Sequence, residues 1–307
     1  MNQQQARANL VQAVQAITDL DWLQYLDAWG FELKRRHPRD HREPGKKEKE
    51  QFEDRLAALM RRHWRKQKAA IREKLEWQTP ERKELLSPIQ DGKLFLVPPI
   101  VPERKAIMAP SDIDFDDAFE DDEELIAELI KLLTGASMHG IALFGQSIDI
   151  GMDYTLVNSK AAEWARKYAG DLIKDIDRTT QDVLRNAISA FVETPGFTIR
   201  DVMDMLPFSE ERSISIAVTE ITRSYAEANL IAGQELKREF PDVKIIKMWR
   251  TNQDERVCEI CAPLDGMEVE IDEGFTTEED KSEGVDGPPL HVNCRCWLET
   301  TTALTEL

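Results

Sequence analysis

The sequence predicts a mainly α protein with a small α+β C-terminal module: long helices followed by a short-stranded, metal-clasped β element. Three observations predict it. Apolar residues recur at helical spacing through much of the chain. Prolines fall between those runs and not inside them. All four cysteines gather near the C-terminus, as C-x2-C at Cys258 and Cys261 and as H-x2-C-x-C at His291, Cys294 and Cys296.

The elements follow in order. Leu10, Val14, Ile17, Leu20, Leu23 and Leu26 mark a helix over 6–36, which His37-Pro38 ends. Trp22, Tyr25 and Trp29 fall on one face of it, as core or a helix–helix seam. Phe52, Leu56, Leu59, Met60 and Trp64 mark a second, strongly charged helix over 46–77, and the two together form a helical N-terminal arm, 1–77. Six prolines between Thr79 and Pro110 exclude long helices and central strands. With the acids that follow, 78–121 reads as a Pro-rich and acidic linker, in which Leu94-Phe95-Leu96-Val97 is apolar enough to dock.

A helical body spans 122–241. Helices are expected over 122–145 and 158–192, the latter on Ala161, Trp164, Ala165, Tyr168, Leu172 and Ile176. After a Thr194-Pro195-Gly196 turn, Thr198 caps a short helix to Leu206, and Pro207 closes it. Ser209 caps a long helix to about Phe240, with Glu210 and Glu211 in the first turn, where negative charge is favoured. The remainder, 242–307, is the Cys/His β module, with strands at Val243–Arg250, Met267–Ile271 and Cys296–Thr302.

At 307 residues the chain is long enough for two domains, and 41% hydrophobic with 32% charged residues describes a soluble protein. No apolar run approaches the roughly 18 residues of a membrane span, so no membrane partner is expected. Met1-Asn2-Gln3-Gln4-Gln5 leads straight into an amphipathic pattern and has no signal-peptide character. A net charge of −18 disfavours nucleic-acid binding by the surface as a whole.

That charge is unevenly placed. Residues 61–74 hold Arg61, Arg62, Arg65, Lys66, Lys68, Arg72 and Lys74 against Glu73 alone, while 112–128 hold ten acids. The two segments can pair with each other, be plain solvated faces, or meet outside partners. Arg61, Arg62, Arg65, Lys66 and Lys68 are the candidate DNA contacts.

The cysteine segment carries the chemistry. A structural zinc site takes four thiolate or imidazole donors in a tetrahedron. Pro263 and Asp265-Gly266 place the first pair in a knuckle, and Gly287-Pro288-Pro289 stops regular structure before His291. Five donors compete for four places: Cys258 and Cys261 first, then His291 with either Cys294 or Cys296. In an extended strand Cys294 and Cys296 share a face and Arg295 takes the other. Structural zinc is preferred over two disulfides, a thioredoxin-like redox pair or free buried thiols. The first of these suits an oxidising compartment, and the second needs a helix where Pro263 stands.

The order of motifs resembles a known family. It runs from Val218-Thr219-Glu220-Ile221-Thr222-Arg223-Ser224-Tyr225-Ala226-Glu227-Ala228-Asn229, through Trp249-Arg250-Thr251, Asp254-Glu255-Arg256-Val257-Cys258 and Cys261, to Leu264-Asp265-Gly266, Pro288-Pro289, His291 and Asn293-Cys294-Arg295-Cys296. This is similar to the phage Mu F-like minor head protein family, also called the phage head morphogenesis domain. The resemblance covers about 140–304 and is strongest from Trp249 to Trp297. It implies a non-catalytic virion component of a tailed phage or prophage, acting in head assembly near the portal. Its implied partners are the portal protein, other capsid components and packaged DNA, with no small-molecule substrate. Its implied location is the capsid interior or portal vicinity, after assembly in the host cytoplasm. Carried over, the family pattern singles out Asp254, Arg256, Cys258, Cys261, Asp265, Gly266, His291, Asn293, Cys294, Arg295 and Cys296.

Two other readings compete. One is a metal-dependent nuclease or phage effector enzyme using the Cys/His cluster. The sequence offers it no Gly-rich phosphate loop, Ser/His/Asp set or deaminase-like His-x-Glu. The other is a zinc-dependent module acting on host proteins.

Overall fold

The computed structural model describes residues 43–78, 115, 118–119, 123–148, 154–194, 198–252, 257–276 and 284–304. The expected helix over 6–36, the Pro-rich segment, most of the acidic run, Pro195-Gly196, Asp254 and Arg256 lie outside the described residues. Five helices are described: α1 (Lys46–Gln78), α2 (Glu123–Ser147), α3 (Tyr154–Glu193), α4 (Ile199–Met205) and α5 (Glu210–Glu239). Three strands follow, β1 (Val243–Arg250), β2 (Glu268–Glu270) and β3 (Trp297–Leu304). They form one antiparallel sheet in the order β2-β1-β3. The mainly helical fold with a small terminal sheet is thus the one expected. The last strand starts one residue later than the sequence pattern suggests, because the chain is still irregular through Cys296 after the turn at His291–Cys294.

Contacts divide the chain into two compact units, and the divisions fall inside α1 and α3. The first holds Met1–Arg61, Glu123–Ile173 and Ser209–Leu307; the second holds Arg62–Asp122 and Lys174–Phe208.

In the first unit α2 and α5 pack closely because α2 carries small residues on its contact side. A Cβ on Gly140 would sit 3.0 Å from the Cβ of Ala228. Ser137 Oγ donates across the same seam to the Ser224 carbonyl. By length and composition α2 could cross a membrane, a property the residue-by-residue reading missed; most of that apolar window is buried inside this unit. Ser209 caps α5 as expected, its side chain accepting the Arg212 N–H. Ile245, Leu298 and Trp249 then continue the apolar core from α5 into the sheet.

The start of α1 closes over this core. Gly45 adopts a left-handed φ of 60°, and a Cβ there would fall 2.6 Å from His139 Cε1 and 2.7 Å from Leu143 Cδ1. Gly45→Ala combines backbone strain with a clash against the buried His139 ring and the Leu143 side chain. A loss of about 2 kcal/mol is expected from chemical denaturation; a change under a few tenths would contradict this packing.

A polar cluster is buried beside Gly45. Lys49 Nζ lies 2.5 Å from Glu43 Oε1, with both side chains almost fully enclosed. His139 Nδ1 lies 2.7 Å from the Tyr225 hydroxyl. Burial lowers the His139 pKa from 6.5 to about 4. Burial also raises Glu53 from 4.5 to about 7, with Lys49 opposing and Glu43 and Glu50 adding to it. The two groups act on stability with opposite signs. Between pH 4 and 6.5 the folded chain lacks the proton that His139 holds when unfolded, so stability falls as pH drops, by about 3 kcal/mol across the window. Between pH 4.5 and 7 the folded chain keeps the proton that Glu53 loses when unfolded, so stability falls as pH rises. His139→Gln is therefore expected to abolish the acid-side loss, and Glu53→Gln the neutral-side loss. Urea midpoints measured from pH 4 to 8 check both; parallel profiles for wild type and His139→Gln would contradict the first.

The second unit has its own core of Ile71, Leu75, Leu184, Ile188, Val202 and Met203. Phe115 and Phe119, from the acidic segment, pack against it. Trp64 meets Phe208 at 5.8 Å between ring centroids. Asp177 accepts from Gln67 Nε2 at 2.7 Å and lies 3.5 Å from His63 Nε2. Thr198 and Asp201 form a full capping box on α4.

Candidate metal centre

The site is built on two tight turns at the edge of the sheet. After β1, Thr251 N–H donates to the Asp265 carboxylate at 2.8 Å, which draws the chain leaving the strand back to the knuckle. The knuckle is closed by Cys261 N–H to the Cys258 carbonyl at 3.2 Å and by Ala262 N–H to the same carbonyl at 3.0 Å. A 3-10 turn, Ala262–Leu264, follows with Pro263 in its first turn. Gly266 then takes a φ of 80°, the left-handed conformation that the Asp-Gly pair predicts.

The second turn has the same form. Cys294 N–H donates to the His291 carbonyl at 3.2 Å, so His291 and Cys294 end a four-residue turn just as Cys258 and Cys261 do. Asn293 supplies a left-handed φ of 63°, which asparagine tolerates better than most residues. Its N–H donates to Thr219 Oγ1 at 2.7 Å, pinning the turn to α5. The polar helix residue Thr219 has its function here.

The sulfur and nitrogen atoms converge. Cys258 Sγ and Cys261 Sγ lie 3.0 and 3.2 Å from His291 Nε2. Cys261 Sγ lies 3.9 Å from Cys294 Sγ. Two groups of three donors result, Cys258–Cys261–His291 and Cys261–Cys294–Cys296, with Cys261 common to both. All four cysteines are free thiols. Zinc bond lengths put the edges of a tetrahedral site at about 3.8 Å for S···S and 3.6 Å for S···N. The sulfur pair already has that spacing, and the imidazole needs to retreat by roughly half an ångström. The donor types fit zinc, while Cys294, which groups with Cys261 but not with Cys258 or His291, has to close toward them to complete a tetrahedron.

His291 is oriented for the task. Its Nδ1 lies 2.8 Å from the Val292 carbonyl, which only a protonated Nδ1 can use as a donor. Nε2 is then left with its lone pair toward the cysteines, the arrangement that metal-binding imidazoles require. Among the thiols, hydrogen bonds from Cys261 and then Cys296 favour ionisation of Cys294, lowering it to about 2, while the Cys294 contact raises Cys261 far above the ordinary thiol range. Cys261, Cys294 and Cys296 are buried, and Cys258 is partly exposed.

Lys247 supports the clasp from within and is absent from the sequence-predicted set. It is fully buried on β1, and its Nζ donates to the Asp286 carbonyl at 2.9 Å and sits 5.4 Å from the Phe275 ring centre. Burial lowers its pKa, against the pull of Asp286. The strand alternation could have revealed it, since period two places Lys247 between Ile245 and Trp249 on the inward side.

The other predicted residues are dispersed. Glu220 and Arg223 bridge each other at 3.2 Å, and the Tyr168 hydroxyl donates to the same carboxylate at 2.5 Å. Arg295 gives its carbonyl to Asn252 Nδ2 at 2.9 Å. With Asn293, Lys46, Lys49 and Glu53 it lines a cleft of about 580 Å³. Arg62, Arg65, Lys66 and Lys68 are exposed on one outer side of α1. Arg61 instead bonds Ser213 Oγ at 3.2 Å and lies 3.9 Å from Glu210.

Comparison with known proteins adds three findings. A family model described as Phage Mu protein F like protein matches residues 169–299, which include every donor of the cluster. An NAD(+)--arginine ADP-ribosyltransferase, EFV, of Enterococcus faecalis is 28% identical over 157 residues; that stretch is 48% of this chain and 31% of the relative, so the chain spans about a third of it. No solved structure matches the chain significantly.

Proposed function

Since residues 169–299 carry a phage Mu protein F-like domain, we propose that this chain is a non-catalytic minor capsid protein of a tailed phage or prophage. It acts in head assembly near the portal and resides in the virion after assembly in the host cytoplasm. The family match is the observation that carries this reading. The polar geometry supports it, because the ionic clusters of the first unit are used as struts: Lys49 with Glu43, Arg223 with Glu220, and Lys247 with the Asp286 loop. The outward basic residues Arg62, Arg65, Lys66 and Lys68 suit contact with packaged DNA, with Arg61 held back by α5. The portal protein and other capsid components are the protein partners.

Deletion of the gene from an inducible prophage tests the proposal. A large fall in infectious titre is expected, restored by the wild-type gene supplied in trans. An unchanged titre would overturn it.

A second reading, an ADP-ribosyltransferase effector, is favoured by the name of the Enterococcus relative. Incubation of the purified chain with labelled NAD+ and an arginine-rich protein separates the two. The head-protein reading expects no transferred label, and it equally expects no cleavage of DNA with Mg²⁺ or Mn²⁺.

A further inference from the structure

The geometry points to one zinc ion held by Cys258, Cys261, His291 and Cys294, with Cys296 excluded from the ligand set and retained as a supporting thiol. This assignment is independent of the proposed role in the head, since it rests on donor chemistry alone.

Four observations carry it. First, the two turns are equivalent: each is closed by an N–H from its fourth residue to the carbonyl of its first, at 3.2 Å in both cases. A pair of such turns offers two donors each, the arrangement a tetrahedral ion needs. Cys296 belongs to neither turn and stands directly before β3. Second, the chosen donors form a connected chain of contacts, Cys258 to His291, His291 to Cys261, and Cys261 to Cys294, at 3.0, 3.2 and 3.9 Å. Cys296 groups with Cys261 and Cys294 and, like Cys294, not with Cys258 or His291, so the 3.9 Å contact between Cys261 and Cys294 is what joins the two turns. Third, the Val292 carbonyl holds the proton of His291 on Nδ1 and frees Nε2. An imidazole used only for packing has no need of a lone pair directed at two sulfurs. Fourth, Cys296 has a different occupation. It is buried in the same apolar core as Trp249, with its sulfur within 4.8 Å of those of Cys261 and Cys294. A donor S–H on a metal-bound thiolate is an outer-shell contact that fixes the ligand.

The ion takes Cys258, Cys261 and Cys294 as thiolates, any thiol proton still held leaves to solvent, and His291 enters neutral. The ion ties the loop after β1 to the loop before β3.

The test uses the full chain, purified without chelator. Elemental analysis is expected to give one zinc per chain for the wild type and for Cys296→Ser. Cys258→Ser, His291→Ala and Cys294→Ser are each expected to fall to near zero. Because such variants can fail to fold, the wild-type chain is also reconstituted with Co²⁺. Its spectrum should have the intense visible bands of tetrahedral cobalt and a sulfur-to-metal band matching three thiolates. A metal-free wild type without cobalt bands would overturn the site. A four-thiolate spectrum, or retention of zinc by Cys294→Ser with its loss from Cys296→Ser, would overturn the ligand assignment.

Discussion

Removal of the proposed zinc from the full chain is expected to unfold the first unit as a whole, not merely to loosen its C-terminal tip. A structural zinc contributes on the order of 10 kcal/mol of apparent free energy at neutral pH. Whole domains are stable by about 5–15 kcal/mol, so the ion's share is comparable with the total. The cluster is also continuous with the main core: Cys261, Cys294 and Cys296 pack with Trp249, Ile245, Leu236 and Ala228 from β1 and α5. Removal of the ion therefore leaves buried thiols at the centre of the unit instead of at its edge. Treatment with a strong chelator, or the double change Cys258→Ser with Cys261→Ser, should abolish the cooperative melt of this unit and open 242–304 to trypsin. Zinc added back to the chelated wild type should restore both. Full trypsin resistance after complete removal of the metal would contradict a structural ion.

The second large effect is expected from Trp249→Ala. Trp249 has no solvent exposure and meets Phe275 edge-on at 5.4 Å between centroids. Its backbone is bonded on both sides of the knuckle exit, with its N–H to Met267 O at 3.0 Å and its carbonyl accepting from Gly266 at 2.8 Å. The ring thus lies among the sheet, the Phe275–Val285 bridge and the thiols. Truncation leaves a cavity that the knuckle cannot collapse to fill, and a loss of about 3–5 kcal/mol is expected. Denaturant titration measures it. Trp249→Phe, which fills most of the volume, should recover more than half. A loss below about 1 kcal/mol for the alanine variant would mean that the clasp and α5 hold the module without this ring.

The contrast between what the chain disclosed and what it concealed is physical. Strong local signals were legible: Ser209 and Thr198 cap their helices as their side chains dictate, and Pro207 and Pro241 separate elements as a residue without N–H must. The strand Val243–Arg250 was equally legible through its alternation. The Cys and His side chains that the structure gathers could be named from their spacing, and the resemblance to the phage Mu F-like family recurs in the family match. Long-range choices were not legible. Nothing in local sequence shows that α1 divides between two compact units, because its apolar stripe is continuous across the division. Nothing pairs Glu43 with Lys49 or His139 with Tyr225 before the helices are packed. Arg61 reads like its basic neighbours until Ser213 comes within reach. The proposed distinction between Cys294 and Cys296 rests on the backbone bond from Cys294 N–H to the His291 carbonyl, a turn that the sequence pattern alone does not mark.

The proposed role in a phage head is tested most directly by sedimentation of purified particles followed by quantitative mass spectrometry. The account predicts that the chain co-sediments with mature heads at a fixed, low ratio to the major capsid protein and stays with them through a second gradient. Its recovery only in the soluble host fraction, with none in the particles, would contradict the account.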